Sequence, residues 1–266
     1  MILLESVKMR EFPSNAEYPF TVPVIKSLHE LRFETPVTIF IGENGTGKSS
    51  LLEGIAAAIH AITIGGESVD KDETLIRARL LAKYMVLTWK FKSQRGFFLR
   101  AEDFFNFCKQ LNKTRAEMET EIDRVKKEYV GHSKIAQDLA KAPFVSSITE
   151  MESRYGKNLD ARSHGESFLK LFQARFVPNG FYILDEPEAP LSPVRQLSLI
   201  TMMKDMVDQG CQFLVATHSP VLMAYPDATI LSLDDVPIKN VAYEDIEHVK
   251  FMRTFLNDPD NFIHRL

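Results

Sequence analysis

Gly42-Glu43-Asn44-Gly45-Thr46-Gly47-Lys48-Ser49 spells a complete G-x-x-x-x-G-K-[ST] phosphate loop. Its glycines let backbone N–H groups converge on phosphate oxygens without obstruction by Cβ. The helix expected to start beside Lys48 adds the positive end of its dipole. In such a loop Lys48 bridges the β- and γ-phosphates of a nucleotide, and the Ser49 hydroxyl ligates Mg²⁺. The expected nucleotide-binding set is Gly42, Asn44, Gly45, Thr46, Gly47, Lys48, Ser49 and Ser50.

A second constellation is Phe181-Tyr182-Ile183-Leu184-Asp185-Glu186, an apolar strand that ends in two acids. Carboxylates at a buried strand end cost desolvation unless they are paired or metal-bound. Beside Mg·ATP they have work: Asp185 in the magnesium shell, and Glu186 as the general base that polarises the attacking water. His218 follows the apolar run Gln212–Thr217. A lone histidine at a strand end is commonly a satisfied hydrogen-bonding residue, so its chemistry does not follow from position alone.

These pieces, with two more, resemble the ABC-type ATPase superfamily. The chain is similar to the soluble branch that contains chromosome-maintenance and DNA-repair ATPases, and most of all to small stand-alone bacterial AAA/ABC-like ATPases. A signature-like Ser163-His164-Gly165-Glu166-Ser167 precedes the acidic strand, and a D-loop-like Glu188-Ala189-Pro190-Leu191-Ser192 follows it. The switch segment is Ala216-Thr217-His218-Ser219-Pro220. Three features depart from the pattern. The signature reads SHGES where transporters usually carry LSGGQ, the D-loop lacks its usual terminal aspartate, and no long coiled coil divides the two halves.

The Ser163–Glu166 spacing is also that of a capping box opening a helix. The resemblance implies more: Ser163, Gly165 and Glu166 reach the γ-phosphate held by a second subunit, so ATP joins two copies into a homodimer. It implies that His218 contacts the γ-phosphate and helps place the water. It also implies a magnesium and γ-phosphate sensor where a strand meets the helical segment. That position falls near Glu102, taken here as a metal-site candidate ahead of Gln94, which lies in an expected turn. Arg10, Phe12 and Tyr18 are candidates for the adenine, each also readable as a packing or surface residue.

The elements that must position these residues alternate in kind. Met1–Arg10, Thr21–Ile25 and Pro36–Ile41 read as strands, the last a β-branched run leading into the phosphate loop. Ser49 to about Ile64 has helical spacing and stops at Gly65-Gly66. Tyr84–Phe91 and Phe97–Ala101 read as a hairpin across Lys92–Gly96. Glu102 to about Asp160 is densely charged with helical periodicity. Strands return at Phe181–Leu184, Gln212–Ala216 and Thr229–Leu233, between helices at Ser163–Phe176 and Pro193–Gln209, with a last helix at Tyr243–Leu256. The expected fold is an α/β P-loop NTPase: a mostly parallel core sheet, N-terminal antiparallel strands and a helical insertion. The expected division is an N-terminal ATPase lobe (1–102), a helical insertion (103–160) that docks a protein partner, and a C-terminal ATPase lobe (161–266).

The chain has 266 residues and a net charge of −4, which argues against unaided strong binding of polyanions. Lys83, Lys90, Lys92, Arg95 and Arg100 make one region locally basic, so DNA contact stays open, although strand edges commonly carry lysines. Two cysteines without metal-ligand spacing fit a reducing cytoplasm and no structural metal. No run approaches the roughly 18 apolar residues of a membrane span, and residues 1–8 lack the order of a signal peptide. Two further functions remain on the sequence alone: the energy-coupling subunit of a membrane transporter, and a slow ATP-gated regulatory dimer.

Overall fold

The computed structural model describes residues 1–12, 17–64, 68–155 and 164–264. In chain order the strands are β1 (Leu4–Met9), β2 (Glu30–Arg32), β3 (Val37–Ile41), β4 (Met85–Trp89), β5 (Phe98–Arg100), β6 (Phe181–Asp185), β7 (Gln212–Ala216), β8 (Thr229–Ser232) and β9 (Lys239–Asn240). The helices are α1 (Pro23–Ser27), α2 (Lys48–Ala58), α3 (Ile76–Ala82), α4 (Ala101–Glu128), α5 (Lys134–Tyr155), α6 (His164–Arg175), α7 (Pro193–Asp208), α8 (Pro220–Met223), α9 (Glu247–Asn257) and α10 (Pro259–Ile263).

Burial explains the core sheet. Every residue of β3, β6 and β7 is buried, as expected of strands covered on both faces. Phe40, Ile183 and Leu214 enter one apolar layer, and Ile39, Tyr182 and Phe213 enter the other. The six-stranded sheet runs β5-β6-β7-β3-β8-β9, parallel except for the β8–β9 pair. Neighbours β7 and β8 flank β3 with Ile39 opposite Val215 and Ile230, so the parallel strands all end on one edge. This is the fold of a P-loop NTPase, with a three-stranded antiparallel sheet in the order β2-β1-β4 beside it.

One buried side chain ties the two sheets together. Gln212, fully buried at the start of β7, accepts the Leu3 and Leu4 N–H groups on Oε1 at 2.8 Å each. Its Nε2 donates to the Leu4 carbonyl at 3.0 Å.

Four expectations need correction. Thr21–Ile25 is not a strand: Pro23 occupies the first turn of α1, whose Val24 and Ile25 are buried. Residues 84–101 do not form a hairpin. Half-exposed β4 pairs antiparallel with β1, whereas β5 is buried throughout and pairs parallel with β6. Leu99 enters one layer and Phe98 the other, a burial that a solvent-facing hairpin does not provide. Helix α2 stops at Ala58, earlier than its periodicity suggests, because His60 takes a left-handed conformation (φ 53) and Ala61 N–H closes onto the Ala56 carbonyl. The final helix is broken into a 3-10 turn at Tyr243–Asp245, then α9 and α10.

The charged segment is two long helices, the 28-residue α4 and the 22-residue α5, packed on one another. Helix α4 alone spans about 42 Å at the usual rise per residue. No helix among the described residues is long and apolar enough to cross a membrane.

Replacing Gln212 with Leu leaves two N–H groups and one carbonyl buried without partners. We expect a loss of about 3 kcal/mol in stability, measured by urea unfolding, because each orphaned group carries its own desolvation cost.

Candidate functional site

The phosphate loop leaves β3 at Ile41 and enters α2 at Lys48. Gly47 sits at φ +104, and a Cβ there would lie 2.7 Å from Val22 Cγ1, so glycine suits both the backbone turn and the close approach of Val22. Lys48, 5% exposed, folds back and donates from Nζ to the Gly42 carbonyl at 2.6 Å and to the Glu43 carbonyl at 3.0 Å. Burial lowers its pKa, and the nearby carboxylates of Glu186, Asp185, Asp234 and Glu43 oppose that shift.

The ends of β6 and β7 bring the acids and the histidine to the same place. Asp185 is 7% exposed, and burial pushes its carboxyl up to about 6 against the bond from the Ser49 hydroxyl. Its Oδ1 is buried without a hydrogen-bond partner. Glu186 adopts φ 50 and donates its N–H to the Ala216 carbonyl at 2.9 Å. Its Oε1 lies 3.7 Å from His218 Nε2. Glu188 accepts the His218 N–H at 2.7 Å, and burial raises its pKa. The hydroxyl of Thr217 also bonds Glu188.

A cavity of about 290 Å³ is lined by Ser49, Glu53, Arg100, Ala101, Glu102, Asp185 and Glu186. Glu102 therefore stands at the cavity, with Oε1 paired to Arg100 Nη1 at 3.1 Å. The Arg100 guanidinium, 8% exposed, also bonds Asp72 at 2.7 Å and Asp103 at 2.8 Å. Gln94 is exposed and is not among the lining residues. Tyr18 places its hydroxyl 2.8 Å from Ser50 Oγ. Phe12 packs on Phe20 and Tyr84, and Arg10 donates its N–H to the Tyr84 carbonyl.

Gly165 and Glu166 of the signature segment are not among the residues that line this cavity. Gly165 is buried in α6 against the Pro190 carbonyl and the Arg195 side chain, and Glu166 pairs with Lys170 at 3.8 Å. Ser163 lies outside the described residues.

Two residues at the site were not anticipated. Glu53 lies one helical turn beyond Ser49, and burial pushes its carboxyl up to about 7. Its four-residue spacing from Ser49 on one helix face was the available signal. Asp234 accepts the Glu43 N–H at 2.6 Å, a contact across 191 residues with no local signature.

Residues 24–173 match the AAA domain family, more than half of the chain. The chain belongs to the AAA domain family. Solved structures with which it aligns include the ADP conformation of MJ1267, an ATP-binding cassette of an ABC transporter. There the identity is 14%, the alignment covers 97% of this chain and 96% of that one, and the TM-score is 0.44. The dimeric bacterial ABC transporter cassette MJ0796 aligns at 16% identity over 91% and 99%, with a TM-score of 0.42. CbiO1 of Clostridium perfringens, part of the ABC transporter complex cbiONQ, aligns at 14% identity over 100% of both chains, with a TM-score of 0.41. No curated protein matches the sequence.

The cavity offers oxygen donors, which suit a hard cation: the Ser49 hydroxyl and the unpartnered Asp185 Oδ1. Among the described residues no three His, Cys, Asp or Glu side chains form a metal cage of their own. A magnesium ion fits such a site, because it commonly takes one or two protein ligands and completes its shell with phosphates and water.

The raised Asp185 carboxyl carries a stability consequence. A carboxyl that binds its proton more tightly in the folded chain costs stability as pH rises from its unfolded value near 3.8 to about 6, and by a constant amount above that. In EDTA and without nucleotide, we expect Asp185→Asn to stabilise the chain by about 2–3 kcal/mol at pH 8. The gain should vanish near pH 4, as read by unfolding at a series of pH values.

Proposed function

We propose that this chain is an ABC-type ATPase that binds Mg·ATP in the phosphate loop, hydrolyses it, and closes as a homodimer around it. The observation that carries this reading is the convergence of Lys48, Ser49, Asp185, Glu186 and His218 at the ends of three adjacent parallel strands. No packing role explains two carboxylates, one of them desolvated, beside a glycine-rich loop that opens a helix.

Ser49 and Asp185 would hold the magnesium, with Glu102 facing the same cavity. The ion would supply charge neutralisation on the β- and γ-phosphates. Lys48 releases the carbonyls of Gly42 and Glu43 to reach those phosphates. Glu186 accepts a hydrogen bond from the attacking water and takes its proton, while His218 faces Glu186 and fixes the orientation of that pair. The loop amides from Asn44 to Ser50 cradle the phosphate oxygens. Tyr18, set over the start of α2, is the best placed of the adenine candidates.

That neither Gly165 nor Glu166 lines its own chain's cavity supports action in trans, with Ser163 and the start of α6 capping the γ-phosphate of a second copy. Exposed Val194 and Leu197 on the first turns of α7, just beyond the D-loop, give that second copy an apolar contact. The division into two ATPase lobes and a helical insertion follows from the same reading. Helices α4 and α5 form the lever that reports the nucleotide state to a partner, either protein or DNA, in the cytoplasm. Val130 in their turn and Ile135 and Leu139 on the first turns of α5 are exposed, which suits a protein surface.

Glu186→Gln should bind Mg·ATP without turning it over and elute from gel filtration as a dimer. A variant that stays monomeric at saturating Mg·ATP contradicts the closed-dimer cycle. His218→Ala should lower kcat by about 10²-fold with nucleotide affinity little changed. Lys48→Ala should lose nucleotide binding with its circular dichroism spectrum intact.

A further inference from the structure

We propose that Asp234 is a positioning residue of the phosphate loop, which keeps the peptide between Gly42 and Glu43 turned so that its carbonyl faces away from bound phosphates. The proposal rests on the nucleotide-site reading above. The carboxylate belongs to none of the sequence motifs and arrives just past the end of β8, the strand beside β3.

That peptide is gripped at both ends. Its carbonyl, on Gly42, accepts Lys48 Nζ at 2.6 Å. Its N–H, on Glu43, donates to Asp234 Oδ1 at 2.6 Å. Gly42 sits at φ +145, and a Cβ there would lie 2.9 Å from Thr46 Oγ1 and 3.1 Å from Asp234 Oδ1. Glycine therefore makes room for the carboxylate and, for the same reason, leaves the peptide little intrinsic resistance to rotation.

Asp234 is itself fixed. Leu233 N–H bonds the Ile41 carbonyl at 2.9 Å, which extends the β8–β3 pairing to the start of the loop. The Ser232 hydroxyl donates to Asp234 Oδ2 at 3.2 Å and accepts the Asp234 N–H at 3.3 Å. The next residue along the loop is held through its own carbonyl: Glu43 O accepts the Thr46 hydroxyl at 2.9 Å and Lys48 Nζ at 3.0 Å.

The two grips are not equivalent once a nucleotide arrives. Lys48 turns from the Gly42 carbonyl to the phosphates, and Asp234 alone then resists rotation of the peptide. A rotated peptide points the Gly42 carbonyl oxygen, a partial negative charge, at an anion. The cost of losing Asp234 therefore falls on the nucleotide-bound state more than on the free chain. The needed property is an acceptor oxygen and not the negative charge, since Asn keeps Oδ1 for the Glu43 N–H and its amide donates to the Ser232 hydroxyl.

The test compares the full chain with D234A, D234N and K48A in Mg²⁺, using titration with a fluorescent ATP analogue, steady-state phosphate release and thermal melting. D234A should raise Kd and KM by about tenfold, the weight of one hydrogen bond to a charged group, with kcat within about twofold. D234N should return both to within about threefold of the unaltered chain, with all melting temperatures alike. The proposal is overturned if D234A binds as the unaltered chain does, if D234N is as weak as D234A, or if D234A only lowers the melting temperature. Should the unaltered chain and K48A both fail to bind the analogue, the nucleotide-site reading falls and this proposal with it. Normal binding by the unaltered chain with an unaffected D234A removes this proposal alone.

Discussion

One ammonium group holds the site together electrostatically. Lys48 lies buried at the start of α2 with Glu186, Asp185, Asp234 and Glu43 all acting on it. Burial works against a charged lysine, and the four carboxylates work for it. Take Lys48 away and Asp185, the one buried acid of the four, loses a cation that opposes its desolvation. The strand ends, the glycine turns and the loop from β8 can be understood as the scaffold that sets these five groups at fixed separations. Burial raises the carboxyls of Asp185 and Glu53, with neighbouring carboxylates adding to the shift. These two groups thus hold protons more readily than isolated carboxyls do. A divalent cation bound with its nucleotide would favour their ionised form, as the proposed function requires.

The parallel sheet turns separate stretches of sequence into one site. β3, β7 and β6 are adjacent and parallel, so Ile41, Ala216 and Asp185 finish on the same edge although they are far apart in the chain. The phosphate loop, the histidine and the acids leave from these three ends. Each connection must cross a face of the sheet, and helices α2 and α7 do so with buried apolar faces. The site therefore inherits its precision from packed strands and not from loops alone. Glu188 extends the same logic: by accepting the His218 N–H, it couples the segment after β6 to the segment after β7.

What was legible in the sequence follows from how local each signal is. The phosphate loop and the β6 run with its acids announce themselves within a few residues, and both stand where expected. The parallel α/β class was legible too, because β3, β6 and β7 are continuous apolar runs. Pairing was not. Residues 84–91 and 97–101 are close in sequence, β-prone and joined by a short turn, which reads as a hairpin. Their burial differs, and tertiary packing assigns β4 to β1 and β5 to β6. Asp234 was invisible for a related reason, since an exposed acid after a strand gives no sign that its partner is 191 residues away. The segment around Ser163 was legible as a helix start, and α6 does start at His164. Its role across a dimer is a property of two chains, which one chain's packing does not display.

The last step concerns two neighbouring carboxylates. In an extended strand, consecutive side chains point to opposite faces, so Asp185 and Glu186 should diverge. Both nevertheless line one cavity. Glu186 achieves this by adopting a left-handed conformation at φ 50, with its N–H held on the Ala216 carbonyl of β7. Such a conformation costs a non-glycine residue about 1–3 kcal/mol. Glycine would remove that strain and also the side chain, so the position keeps a glutamate at a conformational cost. The strain is sustained by the β6–β7 pairing on one side and by the buried Pro187 on the other. A backbone held this way brings the half-exposed Glu186 carboxylate to 3.7 Å from His218 Nε2. That placement is hard to explain by stability alone, and it suits the proposed role of Glu186 as the base that orients a water molecule.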